Sequence, residues 1–308
     1  DLAHDSGTFD MVIVDEATQA IEGKCWIAAL KAPKLILAGD HLQLPPTVKS
    51  INSSSKPRAG QQLYCRLLQV TLFERMLSKH GSAAVCMLQT QYRMHSDIMK
   101  VLSESLYESK LVSHVSMAAH MLNNLEHVKS NAFTCVSLVH IETASCRMTE
   151  SSKELGGASG MGSAIDGSES KANMGEAQLV LAHVKILIVA GVGAKDIAII
   201  TPYNAQVHLL KCLMQEHYSE LEIGSVDRFQ GREKEAVILS MVCSSPNKDV
   251  GFLKDYCRVN VTITHAKRHL CIVADSSTVS QGNSFLWALF THLKAKTFVC
   301  SPTAVHHC

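Results

Sequence analysis

An apolar run in FDMVIVDEATQA, residues 9–20, ends on two adjacent carboxylates, Asp15 and Glu16. A parallel strand delivers its C-terminal residues to the crevice at the carboxyl edge of its sheet, and both acids arrive there together. In nucleotide hydrolysis the first acid of such a pair holds Mg2+ through water, and the second orients and deprotonates the attacking water. The pair by itself is equally compatible with acids favoured by the dipole of a following helix. The next apolar run closes in AGDHLQLPPTV, residues 38–48, where Gly39 permits a tight turn and Pro45 and Pro46 stiffen a loop that presents Gln43. An amide at that place can bond both a water and a γ-phosphate oxygen. The plainer reading is a structured turn and nothing more.

The elements that must position these groups are short apolar runs separated by amphipathic segments. The runs are MVIV (11–14), KLILAG (34–39), CVSLVHI (135–141), DIAIIT (196–201), AVILSMV (236–242) and HLCIVAD (269–275). Near-continuous apolar strands of this kind are the mark of parallel sheets covered by helices on both faces, so the fold class is α/β. Apolar positions at i, i+3, i+4 and i+7 predict helices over 63–79, 176–190, 204–217 and 283–296. Two polar stretches interrupt the pattern. Residues 50–61 carry Pro57 and Gly60, and residues 147–175, rich in Ser and Gly, read as a flexible surface insertion. Two strands precede the first interruption, too few for a viable parallel sheet, and the expectation is a first domain short of its N-terminal portion.

Composition sets outer bounds. At 308 residues and 46% hydrophobic content, the chain can bury one large core or two ordinary ones. No apolar stretch reaches the length of a membrane span, since 179–192 is interrupted by His183 and Lys185. Eleven cysteines occur without a CxxC pair, which argues against a disulfide framework or a zinc site and for a reduced compartment, nucleus or cytoplasm. The sixteen histidines show no HExxH spacing, and His306-His307-Cys308 reads as a tail. A net charge of +1 neither predicts nor excludes nucleic-acid binding, because only the charges lining the phosphates need be positive.

Taken with TQYRMHSDI (90–98), TPYNAQ (201–206), SVDRFQGREKEAVILS (225–240) and VNVTITHAKRHLCIV (259–273), the two acidic segments resemble motifs II to VI of superfamily-one helicases, in order and over most of the chain. The QYRMH and QGRE forms resemble the Up-frameshift-like branch, nearest its immunoglobulin-mu-binding type. The resemblance implies a RecA-like helicase core with ATP and Mg2+ as cofactors, single-stranded DNA or RNA as partner, and 5′ to 3′ translocation. It divides the chain into the C-terminal part of a first RecA-like domain (1–86), a second RecA-like domain (87–300) and a tail (301–308). It implies that Asp15 and Glu16 serve Mg2+ and water activation, that Gln43 senses the γ-phosphate and that Arg93 reaches the phosphates. Gln230, Gly231 and Glu233 would lie against the nucleotide, with Glu233 on its sugar. Thr201, Ser225 and Arg228 would contact the nucleic-acid backbone, and Tyr203 would either stack on a base or pack in the core.

Two departures qualify that expectation. No GxxxxGK[ST] phosphate loop occurs in these residues, so the chain alone is expected not to turn over ATP and to need the N-terminal part of the helicase. Where the family's motif VI reads T-R-A-R, this chain has Thr264-His265-Ala266-Lys267, which puts an imidazole at the arginine-finger position. The alternative expectation is a degenerate relative that binds nucleic acid or a protein without ATP turnover.

Overall fold

The structure is a computed structural model that describes residues 9–47, 69–152, 170–229, 231–244 and 250–303. Gln230, residues 50–61, the first part of the helix expected from 63, the middle of the 147–175 segment and the His306-His307-Cys308 tail lie outside the described residues. The described residues form two compact units, one running to Met87 and the other from Leu88.

In the first unit β1 (Val12–Val14) pairs in parallel with β2 (Leu35–Leu37), Val12 opposite Leu35, and α1 (Glu22–Ala29) makes the crossover. A salt bridge ties α1 to α2 (Leu72–His80): the Arg75 guanidinium donates to both oxygens of Glu22, at 2.5 and 3.1 Å. A capping box starts α2, with Thr71 Oγ1 accepting from the Glu74 N–H and Glu74 Oε2 accepting from the Thr71 N–H. The strands read as runs fit for burial on both faces, yet Ile13 is 62% and Ile36 47% exposed. A two-stranded sheet has only one flanking strand to offer, and among the described residues α1 packs on β1 but leaves Ile13 and Ile36 uncovered.

The second unit is built on six parallel strands in the spatial order Phe298–Cys300, Leu138–Glu142, Ala266–Ala274, Lys234–Ser240, Ile197–Ile200 and Glu222–Gly224. In chain order the unit runs through β3 (Thr90–Gln91), α3 (Ser96–Leu106), β4 (Val112–Ser113), α4 (Val115–Ala118), β5 (Leu138–Glu142), β6 (Ser151–Ser152) and β7 (Lys171–Ala172). It continues with α5 (Met174–Val189), β8 (Ile197–Ile200), α6 (Asn204–Met214), β9 (Glu222–Gly224), β10 (Lys234–Ser240) and α7 (Tyr256–Thr264). Last come β11 (Ala266–Ala274), α8 (Ser276–Val279), α9 (Ser284–Lys296) and β12 (Phe298–Cys300). Alternate residues of the central strands (Val139 and Ile141, Ile197 and Ile199, Ala236 and Ile238, Cys271 and Val273) share one buried cluster with Leu179, Val184 and Leu187 of α5 and Leu210 of α6. Helix α3 packs with both α7 and α9, α3 and α7 lie on β11, and α9 lies on β5. Both faces are thus covered, as the continuous apolar character of the strands requires. The α/β reading and its RecA-like sheet hold.

The 147–175 segment corrects an expectation. Its two ends are not loose: β6 and β7 pair antiparallel, Asn173 is fully buried and caps α5, and Met148 packs so closely that a Cβ on Gly175 would sit 2.6 Å from its side chain. Composition hid this because the packing residues are few and polar. Residues 153–169 are outside the description. Strands β9 and β12 and helices α1, α3 and α7 have no counterpart among the expected elements, since each is short or lacks a clean apolar period.

Candidate functional site

The acid pair sits where β1 ends. Glu16 takes a left-handed backbone (φ 51, ψ 38), unusual for a residue with a Cβ, and opens a three-residue turn rather than a helix. The helix-dipole reading of the acids therefore fails: a single 3-10 turn, Ala17–Gln19, follows, and α1 begins only at Glu22. Asp15 Oδ1 accepts the Glu16 N–H at 2.9 Å, and Glu16 Oε2 accepts from the Gln19 amide at 2.7 Å. Both acids are exposed. The turn is fastened to the end of β2 by Ala17 N–H donating to Ala38 O at 2.8 Å. Gly39 follows so closely that a Cβ there would lie 3.0 to 3.1 Å from Thr18. On the loop beyond, Asp40 organises the chain, accepting from the Leu42 N–H at 3.0 Å and from the Gln43 amide at 3.1 Å. Asp15, Glu16 and Gln43 thus ride on two hydrogen-bonded segments at one sheet edge. Exposed carboxylate oxygens held by a strained turn suit a hard cation such as Mg2+.

In the second unit a ladder of charges lies where β10 and β11 begin. Arg93 Nε donates to Glu233 Oε2 at 2.7 Å and its Nη1 to Thr264 O at 3.2 Å. Lys267 Nζ meets the other oxygen of Glu233 at 2.7 Å and Glu235 at 3.5 Å, while Arg268 Nε donates to Glu235 at 2.7 Å. The hydrogen bond from Lys267, with the charges of Lys267 and Arg93, holds the Glu233 carboxyl below its usual range. Glu233 in turn raises Lys267. Neither Lys267 nor Glu235 carries an assigned role in the sequence reading; Lys267 stands there only as the last residue of Thr264-His265-Ala266-Lys267, and Glu235 in the charge-rich REKE of 232–235.

His265 behaves differently from the residue it replaces. It is 4% exposed, its Nδ1 lies 2.5 Å from Arg232 O, and its Nε2 is buried without a partner among the described residues. Burial lowers its pKa, the Arg93 charge adding to the effect against the Arg232 carbonyl, so the ring is neutral at pH 7. Arg268 lies in a strand and is bound to Glu235 and Met121 O, a finger role being closed to it in this arrangement.

The residues expected to face nucleic acid lie on loops at the carboxyl ends of β8 and β9, joined by Thr201 N–H donating to Gly224 O at 3.2 Å. Ser225 is half-buried and Arg228 exposed. Arg228, Arg232 and Lys211 line a depression of about 210 Å3 with Glu222 and Phe229. Gly231, outside this group, turns with φ 74 and is exposed. Thr201 is fully buried, which leaves its side chain out of reach of a phosphate in this arrangement. Tyr203 is 4% exposed with its hydroxyl 3.2 Å from Cys243 Sγ, so of the two fates open to it, core packing is the one observed.

The chain thus carries two parallel α/β units, a six-stranded sheet with these charges at one edge and a β-α-β unit with the acid pair, and the fold is that of a RecA-like core. A family model described as an AAA domain matches residues 68–277, a second with the same description matches residues 1–51, and the chain belongs to this family, in the Up-frameshift-like branch of superfamily-one helicases. Over 281 residues, 91% of the chain, it is 47% identical to the DNA-binding protein SMUBP-2 of Mesocricetus auratus. It is 42% identical over 277 residues to the DNA polymerase alpha-associated DNA helicase A of Schizosaccharomyces pombe, and 30% identical over 320 residues to the DNA replication ATP-dependent helicase/nuclease DNA2 of Homo sapiens. These matches span 90% and 97% of the chain. The chain spans 26%, 39% and 28% of these three relatives.

Proposed function

We propose that this sequence is part of the motor of a nucleic-acid-stimulated ATPase that moves 5′ to 3′ along single-stranded DNA or RNA in the nucleus or cytoplasm. The observation that carries the reading is the strained Glu16 turn, which presents two exposed carboxylates beside the Gln43 loop. Bound ATP and Mg2+ would supply the phosphoryl group and the charge that neutralises it. Asp15 would hold the cation, Glu16 would accept the proton of the attacking water, and Gln43 would orient that water. Arg93 stabilises the charge that develops on the phosphates, after exchanging Glu233 for them. Glu233, Gly231 and Gln230 bind the nucleotide, and Ser225 and Arg228 bind the nucleic-acid backbone. Residues 1–86 serve as part of a first RecA-like domain and 87–300 as the second. The phosphate loop is supplied by the N-terminal part of the helicase.

A second reading, a relative that binds nucleic acid without turnover, is favoured by His265, a neutral buried ring where the family carries an arginine. Single-strand-stimulated ATP hydrolysis, measured on this sequence completed with the N-terminal part of one of its relatives, separates the two. Hydrolysis by the chain as it stands, lost about a thousandfold in Arg93→Ala, supports the motor. Hydrolysis only in His265→Arg identifies a motor that lost its finger, and none in either version leaves the binding role.

A further inference from the structure

At the carboxyl end of the same sheet lies a buried polar cluster that the proposed reaction does not use. Glu176, in the first turn of α5, is fully buried. Its Oε2 accepts from Ser240 Oγ at 2.7 Å and from the Val242 N–H at 2.9 Å. Ser240 Oγ accepts from the Gln206 amide at 3.1 Å, and Gln206 Oε1 accepts the Asn173 N–H at 2.8 Å. Asn173 closes the ring, donating from Nδ2 to Val242 O at 3.2 Å. Both backbone groups of Val242 are therefore held by side chains. Val242 itself has φ 69, an outlying conformation for a β-branched residue, which persists only where its surroundings impose it.

The held turn leads from β10 into Cys243, whose sulfur lies against the Tyr203 hydroxyl, and Gln206 stands on the first turn of the helix that follows Tyr203. One carboxyl thus ties the exit of β10 to the loop after β8. We propose that Glu176 is a positioning residue for the strand-gripping edge, holding the Val242 turn and the Thr201–Tyr203 loop as one unit through Ser240, Gln206 and the Val242 amide. This rests on the reading that this edge meets nucleic acid.

The carboxyl does this in its neutral form. Its Oε1 is buried without a partner among the described residues, and the carboxylates of Asp275, before α8, and Glu150, before β6, add their charge nearby. The cation Lys171 is engaged by Glu150, and the Cys243 thiol is pushed up to about 11 by burial. Burial drives Glu176 up to about 8, the bonds from Ser240 and Val242 opposing it. Ionisation above that point places a charge on a dry oxygen beside two others, and the turn loosens.

The test uses the 308-residue chain, with 13C-labelled glutamate, amide exchange at Val242 and binding of fluorescent oligothymidylate followed from neutral to alkaline pH. The expected result is a Glu176 carboxyl that titrates near 8, with exchange at Val242, corrected for intrinsic base catalysis, rising about tenfold through the same midpoint. Affinity for the oligonucleotide falls about fivefold across it. Glu176→Gln, the neutral isostere, keeps the neutral-pH affinity and flattens both profiles, whereas Glu176→Leu loses affinity at every pH. A carboxyl that titrates in the ordinary range, binding that is flat with pH, or a Gln variant as weak as the Leu variant overturns the proposal. Absence of binding by the unaltered chain at every pH instead removes the nucleic-acid reading of this edge.

Discussion

A carboxylate or imidazole takes its character from what surrounds it, and the histidines show how far that can go. His183 and His269 are both fully buried, with their Nε2 atoms 3.0 Å apart. Because His269 Nδ1 faces Val136 O at 2.9 Å it carries the proton, and His183 Nε2 must donate to His269. Both rings are neutral, burial lowering His269 to about 4 and His183 well below its ordinary value. A folded pKa below the unfolded one means that the unfolded chain takes up protons first as pH falls. Stability is therefore full above about 6.5 and is lost between there and about 4. His269 alone accounts for about 3 kcal/mol, to be seen as a lower urea midpoint near pH 4.5 than at pH 7. Glu233 should behave in the opposite way on replacement: its side chain is 42% exposed, so Glu233→Gln costs under about 1 kcal/mol in thermal unfolding, while ATP affinity of the completed protein drops about tenfold.

Among the elements, the turn after β1 and the loop after β2 depend on a close approach. Gly39→Ala would force a Cβ to within 3.0 to 3.1 Å of the Thr18 side chain and backbone, and the cost is about 1–3 kcal/mol with the Gln43 loop displaced. Chemical denaturation and the amide shifts of residues 40–43 check it. The capping box of α2 is a separate case, since Thr71 is fully buried and bonded both ways to Glu74; Thr71→Ala should cost about 1–2 kcal/mol in the same assay. Elements with a long apolar period were legible: the helix expected over 176–190 is α5 (Met174–Val189), and that over 204–217 is α6 (Asn204–Met214). The pairing of β6 with β7 was not, because two-residue strands of Ser, Lys and Ala carry no hydrophobic pattern.

Across the whole molecule, burial is distributed unevenly. The central strands β5, β8, β10 and β11 are covered on both faces, whereas among the described residues β1 and β2 pair only with each other and expose Ile13 and Ile36. Amide exchange should therefore be graded, with Ile199, Ile238 and Ile272 opening only on global unfolding and Ile13 and Leu37 exchanging about a thousandfold faster. Equal protection in both units would contradict this. The sequence alone determined the α/β class and the parallel strands, since continuous apolar runs between amphipathic helices have few other ways to bury themselves. It also put Asp15 and Glu16 at a strand end, where the direction of the chain decides which edge they reach. Only the tertiary structure decided that His265 lies buried on Arg232 O, that Lys267 shares Glu233 with Arg93, and that Glu176 reaches Val242 across 66 positions of chain. Local periodicity records what a residue's neighbours in sequence prefer. Ion pairs and buried hydrogen bonds between distant segments depend on register and on the exclusion of water, and these exist only once the sheet has formed.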